Sequence, residues 1–93
     1  MVTELALISI RDGSEAQFEQ VFPQAEKFLT ASRGYISHTL RRSIETPNRY
    51  ALTVQWQTLE DHMQGFRASP AFTQWRALIG PYFDTPPVVE HFQ

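Results

Sequence analysis

The chain has 93 residues, of which 42% are hydrophobic and 13% aromatic, and its formal net charge is −2. We expect one domain over residues 1–93, because two halves of this length would each be too small to bury a core. The absence of cysteine excludes disulfides, thiolate nucleophiles and cysteine-based metal sites, and the lack of a basic cluster argues against a nucleic-acid partner. No segment resembles a signal peptide or a membrane span, so a cytoplasmic protein is expected.

The first predicted strand covers residues 3–10 and is apolar on both of its faces. Leu5 and Leu7 alternate on one face, and the other face carries Ala6, Ile8 and Ile10. A strand that faced water on one side would show polar residues there. We therefore expect a covering layer on each side of this strand.

A long amphipathic helix is predicted next. Ser14, with Gln17 three residues later, forms a capping-box pattern. The apolar positions that follow recur at helical spacing and form one broad stripe: Phe18, Val21, Phe22, Ala25, Phe28 and Leu29. Pro23 lies inside this segment and predicts a kink, and Gly34 suits a left-handed position after the helix ends.

Two strands joined by a short loop are predicted in the middle of the chain. The first covers residues 35–43 and places three side chains on one face: Ile36, His38 and Leu40. Residues 45–48 form a turn and residues 49–57 a second strand, so the pair is typical of an antiparallel hairpin. The apolar face of the second strand carries Tyr50, Leu52, Val54 and Trp56.

Two short helices and a last strand complete the predicted elements. The first helix begins at Thr58, and its inner side is formed by Leu59, His62, Met63 and Phe66. Ser69 and Pro70 suit the N-cap and the first position of the next helix. Its inner stripe consists of Phe72, Trp75, Leu78 and Ile79, and Gly80 ends it. A proline-rich connector, residues 82–87, leads to a strand over Val88–Phe92.

The order of these elements is β-α-β-β-α-β, with the second helix split in two. This is the ferredoxin-like plan of the α+β class, a four-stranded antiparallel sheet with helices on one side. The plan leaves the other sheet face bare, although the first strand is apolar there as well. A second copy packed sheet against sheet would cover that face, so we expect a two-fold homodimer.

The ordered set of motifs resembles the antibiotic biosynthesis monooxygenase domain, a family of the dimeric α/β-barrel superfamily. The resemblance spans essentially the whole chain and is carried by residues 42–45, 47–50, 56–62, 66–70 and 89–92. It implies a homodimer with a cavity between sheet and helices in each subunit. Some members of the family oxidise phenolic or quinol-type substrates with molecular oxygen and no metal or flavin. Others degrade haem, and many have no established activity.

Three departures disfavour the haem-degrading branch of the family. Alignment on Ser69 places the haem-ligating histidine of that branch at Arg76 and its pocket tryptophan at Phe66. The asparagine on its first strand has no counterpart, since this strand offers Glu4 and Ser9. An arginine stays protonated and cannot act as a neutral nitrogen ligand of iron. The three histidines also lack the spacing of metal ligands, so no metal or other cofactor is expected.

His62 and Arg76 are the candidate catalytic residues. An imidazole titrates near neutral pH, so His62 suits a proton acceptor or hydrogen-bond partner for a substrate hydroxyl. The structural alternative is a half-buried histidine bonded to a backbone carbonyl or to Asp61. Arg76 suits the stabilisation of a phenolate or carboxylate through two N–H groups. Its structural alternative is a surface ion pair with Asp61 or Asp84.

The candidate substrate-binding residues are ring-bearing side chains expected around the cavity: His38, Trp56, Phe66, Trp75 and Tyr82. Three of them have a structural alternative. Trp75 lies at helical spacing from Phe72, which is also typical of a core. The strand face that carries His38 fits a dimer interface as well as a cavity wall. Tyr82 forms either a lid over the cavity or an aromatic clamp on the last strand.

Two functions of different classes remain open. The first is a cofactor-independent monooxygenase acting on a small phenol or hydroquinone, whose anion passes an electron directly to oxygen. The second is a non-catalytic dimer that binds a small apolar ligand or serves as an accessory subunit. An isomerase or decarboxylase of the same fold would consume its substrate without consuming oxygen.

Overall fold

The four strands form one open antiparallel sheet in the order β2-β3-β1-β4, and the helices cover one of its faces. The computed structural model describes residues 1–93. The strands are β1 Val2–Ser9, β2 Tyr35–Arg42, β3 Arg49–Trp56 and β4 Val88–Phe92. The helices are α1 Glu15–Thr30, a π-helix Asp61–Phe66 and α2 Pro70–Ile79, followed by a single 3-10 turn Gly80–Tyr82. The predicted ferredoxin-like α+β plan is therefore confirmed.

The core lies between the helices and one sheet face, here called the inner face. The fully buried inner-face side chains come from β1 and β3: Ala6, Ile8, Tyr50, Leu52, Val54 and Trp56. The helices contribute Phe18, Phe22, Ala25, Leu29, Phe66, Trp75 and Ile79. These are the residues that the strand alternation and the helical stripes predicted. No helix of this fold combines the length and the apolar character that crossing a membrane requires.

Strand β2 departs from its predicted alternation because it contains a bulge between Tyr35 and Ser37. Tyr35 pairs with Trp56 and Ser37 with Gln55, so the extra residue, Ile36, has no partner on β3. The prediction that Ile36 shares a face with His38 and Leu40 is wrong. Tyr35 takes the inward position instead, and Ile36 is exposed.

The segment after β3 is a π-helix, which the sequence pattern did not predict. The Arg67 N–H donates to the His62 carbonyl at 2.9 Å, an i→i+5 bond that widens the turn. In this wider turn His62 and Phe66 are buried, while the predicted inner residues Leu59 and Met63 are exposed. The prediction was wrong for both residues; at Met63, inside the π-helix, it failed because it assumed an α-helical period, whereas Leu59 precedes the π-helix.

The start of helix α1 also differs from the prediction. Ser14 occupies the N-cap position but makes no side-chain capping bond, and the Glu15 carboxylate instead accepts from the Gly13 N–H at 2.9 Å. Pro23 lies within a helix that is continuous over Glu15–Thr30.

Replacing Gly34 with alanine is expected to cost about 2–4 kcal/mol of unfolding free energy. Gly34 has φ of 83°, which is unfavourable for alanine, and an added Cβ would lie 2.1 Å from an Asp61 carboxylate oxygen. Gly13 is the matched control, because its φ is 90° but nothing lies within 4 Å of an added Cβ. Denaturant unfolding of both variants measures the difference. Equal losses would show that the contact with Asp61 has no energetic weight.

Candidate functional site

The inner face of the sheet, helix α2 and the connector after it enclose a cavity of about 200 Å³. Most of its lining is apolar or aromatic: Ala6, Ile8, Leu29, Phe72, Ile79 and Val89 contribute. For scale, an apolar cavity of about 150 Å³ is large enough to bind benzene. The cavity therefore suits a small molecule with one aromatic ring.

A buried carboxyl group, that of Glu4, lies at the base of the cavity. Glu4 points inward from β1 because it shares the face of Ala6 and Ile8. Its Oε1 atom accepts a hydrogen bond from the Trp56 indole N–H at 3.0 Å. Burial raises the pKa of Glu4 above its ordinary value, while the Trp56 hydrogen bond and the Arg67 charge oppose this rise.

His62 lies beside this carboxyl group and is buried with it. Its Nε2 atom is 3.3 Å from Glu4 Oε1, and its Nδ1 atom is 2.8 Å from Nε2 of His91 on β4. The ring stacks on Trp56 with a centroid separation of 5.2 Å and an interplanar angle of 20°. Burial, together with the charges of His91 and Arg67, lowers the pKa of His62 to about 4. His62 is therefore a neutral imidazole at pH 7.

The lowered pKa of His62 predicts a loss of stability in mild acid. Between pH 6.5 and about pH 4 the unfolded chain binds a proton at His62 and the folded chain does not. This contribution is fully present above pH 6.5. The unfolding free energy is expected to fall across the window by up to about 3 kcal/mol as the pH decreases.

Glu4 acts in the opposite direction, because its raised pKa lets the folded chain bind a proton that the unfolded chain has released. The measurement is therefore made in a Glu4→Gln background, with and without His62→Gln, at a fixed protein concentration. We expect the acid slope in the single variant and its loss in the double variant. The same slope in both variants would contradict the assignment to His62.

Two guanidinium groups lie at the mouth of the cavity. Arg67 and Arg76 both line it, and neither forms an ion pair with a carboxylate of the chain. Arg67 lies over the Phe72 ring and Arg76 over the Phe83 ring, each with Cζ 5.9 Å from the ring centroid. The mouth can therefore attract and hold an anionic group. No group of three histidine, aspartate or glutamate side chains is arranged to hold a metal ion.

The structure brings four of the seven predicted site residues into the cavity lining: His62, Phe66, Trp75 and Arg76. Their roles stay predictions, although Arg76 does not form either of the surface ion pairs that were its structural alternative.

The other three predicted site residues lie outside the cavity lining. His38 faces α1, where its ring bonds to Glu26 at 2.5 Å and to the Tyr35 hydroxyl at 2.6 Å. Trp56 is fully buried beneath His62, so it supports the wall without forming it. Tyr82 belongs to the 3-10 turn, and its carbonyl accepts from the Arg11 N–H at 2.9 Å, so it secures the connector.

Three polar residues in or near the cavity were missing from the predicted site: Glu4, Arg67 and His91. Glu4 had a sequence signal, namely a carboxylate at an inward position of an otherwise apolar strand. His91 follows from the register, because β4 pairs with β1 so that His91 lies opposite Glu4. Arg67 had no signal apart from its position after Phe66.

Comparison with known proteins identifies similar sequences and folds. The family described as antibiotic biosynthesis monooxygenase matches residues 1–78. The Bacillus subtilis protein YczJ is 43% identical over 93 residues, which are 100% of this chain and 98% of YczJ.

Two solved structures show the same fold. A Bordetella bronchiseptica protein assigned as an antibiotic biosynthesis monooxygenase has a TM-score of 0.95 at 43% identity, covering 99% of this chain and 94% of its own. SnoaB, a cofactor-independent oxygenase from Streptomyces nogalater, has a TM-score of 0.84 at 23% identity, covering 99% and 90%. At the identity of SnoaB, the likeness shows the fold alone.

Proposed function

This chain belongs to the antibiotic biosynthesis monooxygenase family, and from that premise we propose that it oxidises a small phenolic or quinol-type aromatic with molecular oxygen and no cofactor. The observation that carries the proposal is the distribution of polarity in the cavity. Its walls are apolar and aromatic, its base holds Glu4 and His62, and its mouth holds Arg67 and Arg76. SnoaB, which shares the fold, is a cofactor-independent oxygenase.

The proposed reaction needs three things from a protein. A base must remove the hydroxyl proton, because the resulting anion is rich enough in electrons to reduce oxygen directly. Fixed positive charge must stabilise that anion, and the site must exclude water. The groups at the base of the cavity supply the base. Arg76 and Arg67 supply the positive charge. Phe66 and Trp75 help to exclude water by packing around the substrate ring.

The proposed reaction balances with oxygen alone. The hydroxyl hydrogen and one ring hydrogen leave with one oxygen atom as water, and the other oxygen atom becomes a new ring carbonyl. The substrate is thereby oxidised to a quinone, and the oxygen molecule is reduced. No external electron donor is required.

The experiment that tests this function follows oxygen uptake. Purified protein is incubated in air with a panel of phenols and hydroquinones, beside the variants His62→Ala and Arg76→Ala. We expect the wild-type chain to accelerate uptake and both variants to be slower. Labelled oxygen gas should place one labelled atom in the quinone and one in water.

Other outcomes separate the alternatives. If all variants match the rate without protein, the catalytic function fails and the small-ligand-binding role is favoured, which calorimetry with the same panel would then measure. Loss of substrate without oxygen uptake would instead indicate isomerase or decarboxylase chemistry.

We also propose that the chain acts as a homodimer. The face of the sheet opposite the helices, here called the outer face, carries Leu5 and Leu7 from β1 and Val88 and Phe92 from β4. No helix of the chain covers this face. A second copy packed sheet against sheet would bury it and would close two open sheets into a barrel-like pair.

A further inference from the structure

The geometry points to Glu4 as the residue that accepts the substrate's hydroxyl proton, with Oε2 as the accepting atom and His62 and His91 as positioning residues. The inference rests on the proposed function and deepens it. It assigns the role of proton acceptor to Glu4, whereas the sequence predicted His62. It follows from which polar atoms at the base of the cavity are occupied and which are free.

The two oxygen atoms of Glu4 differ in their contacts. Oε1 accepts the Trp56 N–H at 3.0 Å and also lies 3.3 Å from His62 Nε2. Oε2 has no hydrogen-bond partner in the chain. Because every buried polar side-chain atom of the chain has a partner, Oε2 is not buried. Because Glu4 lines the cavity, Oε2 is the oxygen that a ligand can reach.

His62 is held by contacts that occupy both of its nitrogen atoms. Nδ1 bonds to His91 Nε2 at 2.8 Å, and Nε2 faces Glu4 Oε1. With a neutral ring and an ionised Glu4, one arrangement of protons satisfies every contact: the His91 Nε2–H donates to His62 Nδ1, and the His62 Nε2–H points at Oε1. No nitrogen of His62 is then free to take a proton from a substrate.

The charges around Glu4 favour this proton step. Burial raises the pKa of its carboxyl group, so the carboxylate is a stronger base than one in water. The Trp56 hydrogen bond and the Arg67 charge oppose this rise in the pKa of Glu4, and Arg76 at the mouth stabilises the anion that forms. His91 and Arg67 also keep the His62 ring neutral.

The proton transfer is simple to balance. The O–H bond of the substrate breaks, its proton forms an O–H bond at Oε2, and the electron pair stays on the phenolate oxygen. Glu4 becomes a neutral carboxylic acid. The same proton later returns from Oε2 to the oxygen atom that leaves as water.

The first arm of the test measures turnover by Glu4→Gln against quinols that differ in acidity. For quinols that are un-ionised at the assay pH, we expect kcat/KM to fall about a hundredfold or more. For nitro-substituted quinols that are already ionised, we expect little loss. The rate of the variant should rise with pH as each substrate ionises by itself. An equal loss for both substrate classes, with a flat pH profile, would overturn the assignment.

The second arm does not depend on turnover. Infrared difference spectra are recorded on the oxygen-free protein as a phenol that is un-ionised at the assay pH is added. A new band of a protonated carboxyl group is expected in the wild-type protein and not in Glu4→Gln. Its absence from the wild type overturns the inference. Its presence without oxygen uptake would support Glu4 as the acceptor while rejecting the monooxygenase function.

Two further sets of variants separate catalysis from folding. Glu26→Gln is the matched control, because Glu26 also pairs with a histidine but lies away from the cavity, and its turnover should be unchanged. His91→Phe removes the donor to His62 Nδ1 and should lower kcat roughly tenfold, whereas His91→Gln retains an N–H and should restore most of it. Equal loss in both His91 variants would contradict the positioning role.

Discussion

Replacing Arg76 with alanine is expected to lower kcat/KM for a phenolic or quinol-type substrate by roughly 10- to 100-fold. The guanidinium lies at the cavity mouth over the Phe83 ring and forms no ion pair within the chain. It is therefore free to form charge-assisted hydrogen bonds with the substrate anion, each of which contributes about 1.5–3 kcal/mol. Because the negative charge develops as the hydroxyl ionises, most of the loss should appear in kcat.

Steady-state oxygen uptake measures this effect, and two variants control it. Arg76→Lys keeps the charge but loses the planar fork, so we expect an intermediate rate. Arg33→Ala removes an exposed arginine that does not line the main cavity, and its rate should match the wild type. If Arg76→Ala raised KM alone, Arg76 would only bind the substrate and would not stabilise the anion.

The sequence predicted the fold well because its signals are local. Strict alternation in β3 identified the buried set from Tyr50 to Trp56, and the Ser69-Pro70 pair marked the start of α2. In the structure Ser69 accepts the Phe72 N–H at 3.3 Å, as an N-cap should. The failures were local irregularities: one extra residue in β2 exposes Ile36, and one wide turn exposes Met63.

The candidate site was predicted less completely because its contacts are long-range. Glu4 and His91 are opposite each other only because the two ends of the chain form adjacent strands in one register. A single sequence does not fix that register, and a shift by one residue would turn His91 to the outer face. The sequence identified His62 because its helix follows β3 directly, but it did not identify the partners of His62. The role of a site residue thus depends on which of its atoms already bond to neighbouring residues.

Sedimentation of the wild-type chain at micromolar concentration is expected to show a dimer, and Leu7→Glu is expected to weaken it at least a hundredfold. Leu7 lies opposite Val88 on the outer face, where Val88 is 66% and Phe92 46% exposed in the single chain. A two-fold interface repeats the substitution, so two carboxylates would be buried in a contact formed by apolar side chains. Each such burial costs several kcal/mol.

The control for this substitution is Ile44→Glu. Ile44 is 91% exposed in the loop between β2 and β3, so it undergoes the same apolar-to-acidic change away from the outer face. It should leave the dimer intact, which would assign the effect of Leu7→Glu to the interface and not to net charge. Single copies of the wild-type chain at micromolar concentration would instead mean that β1 is apolar on its outer side for another reason.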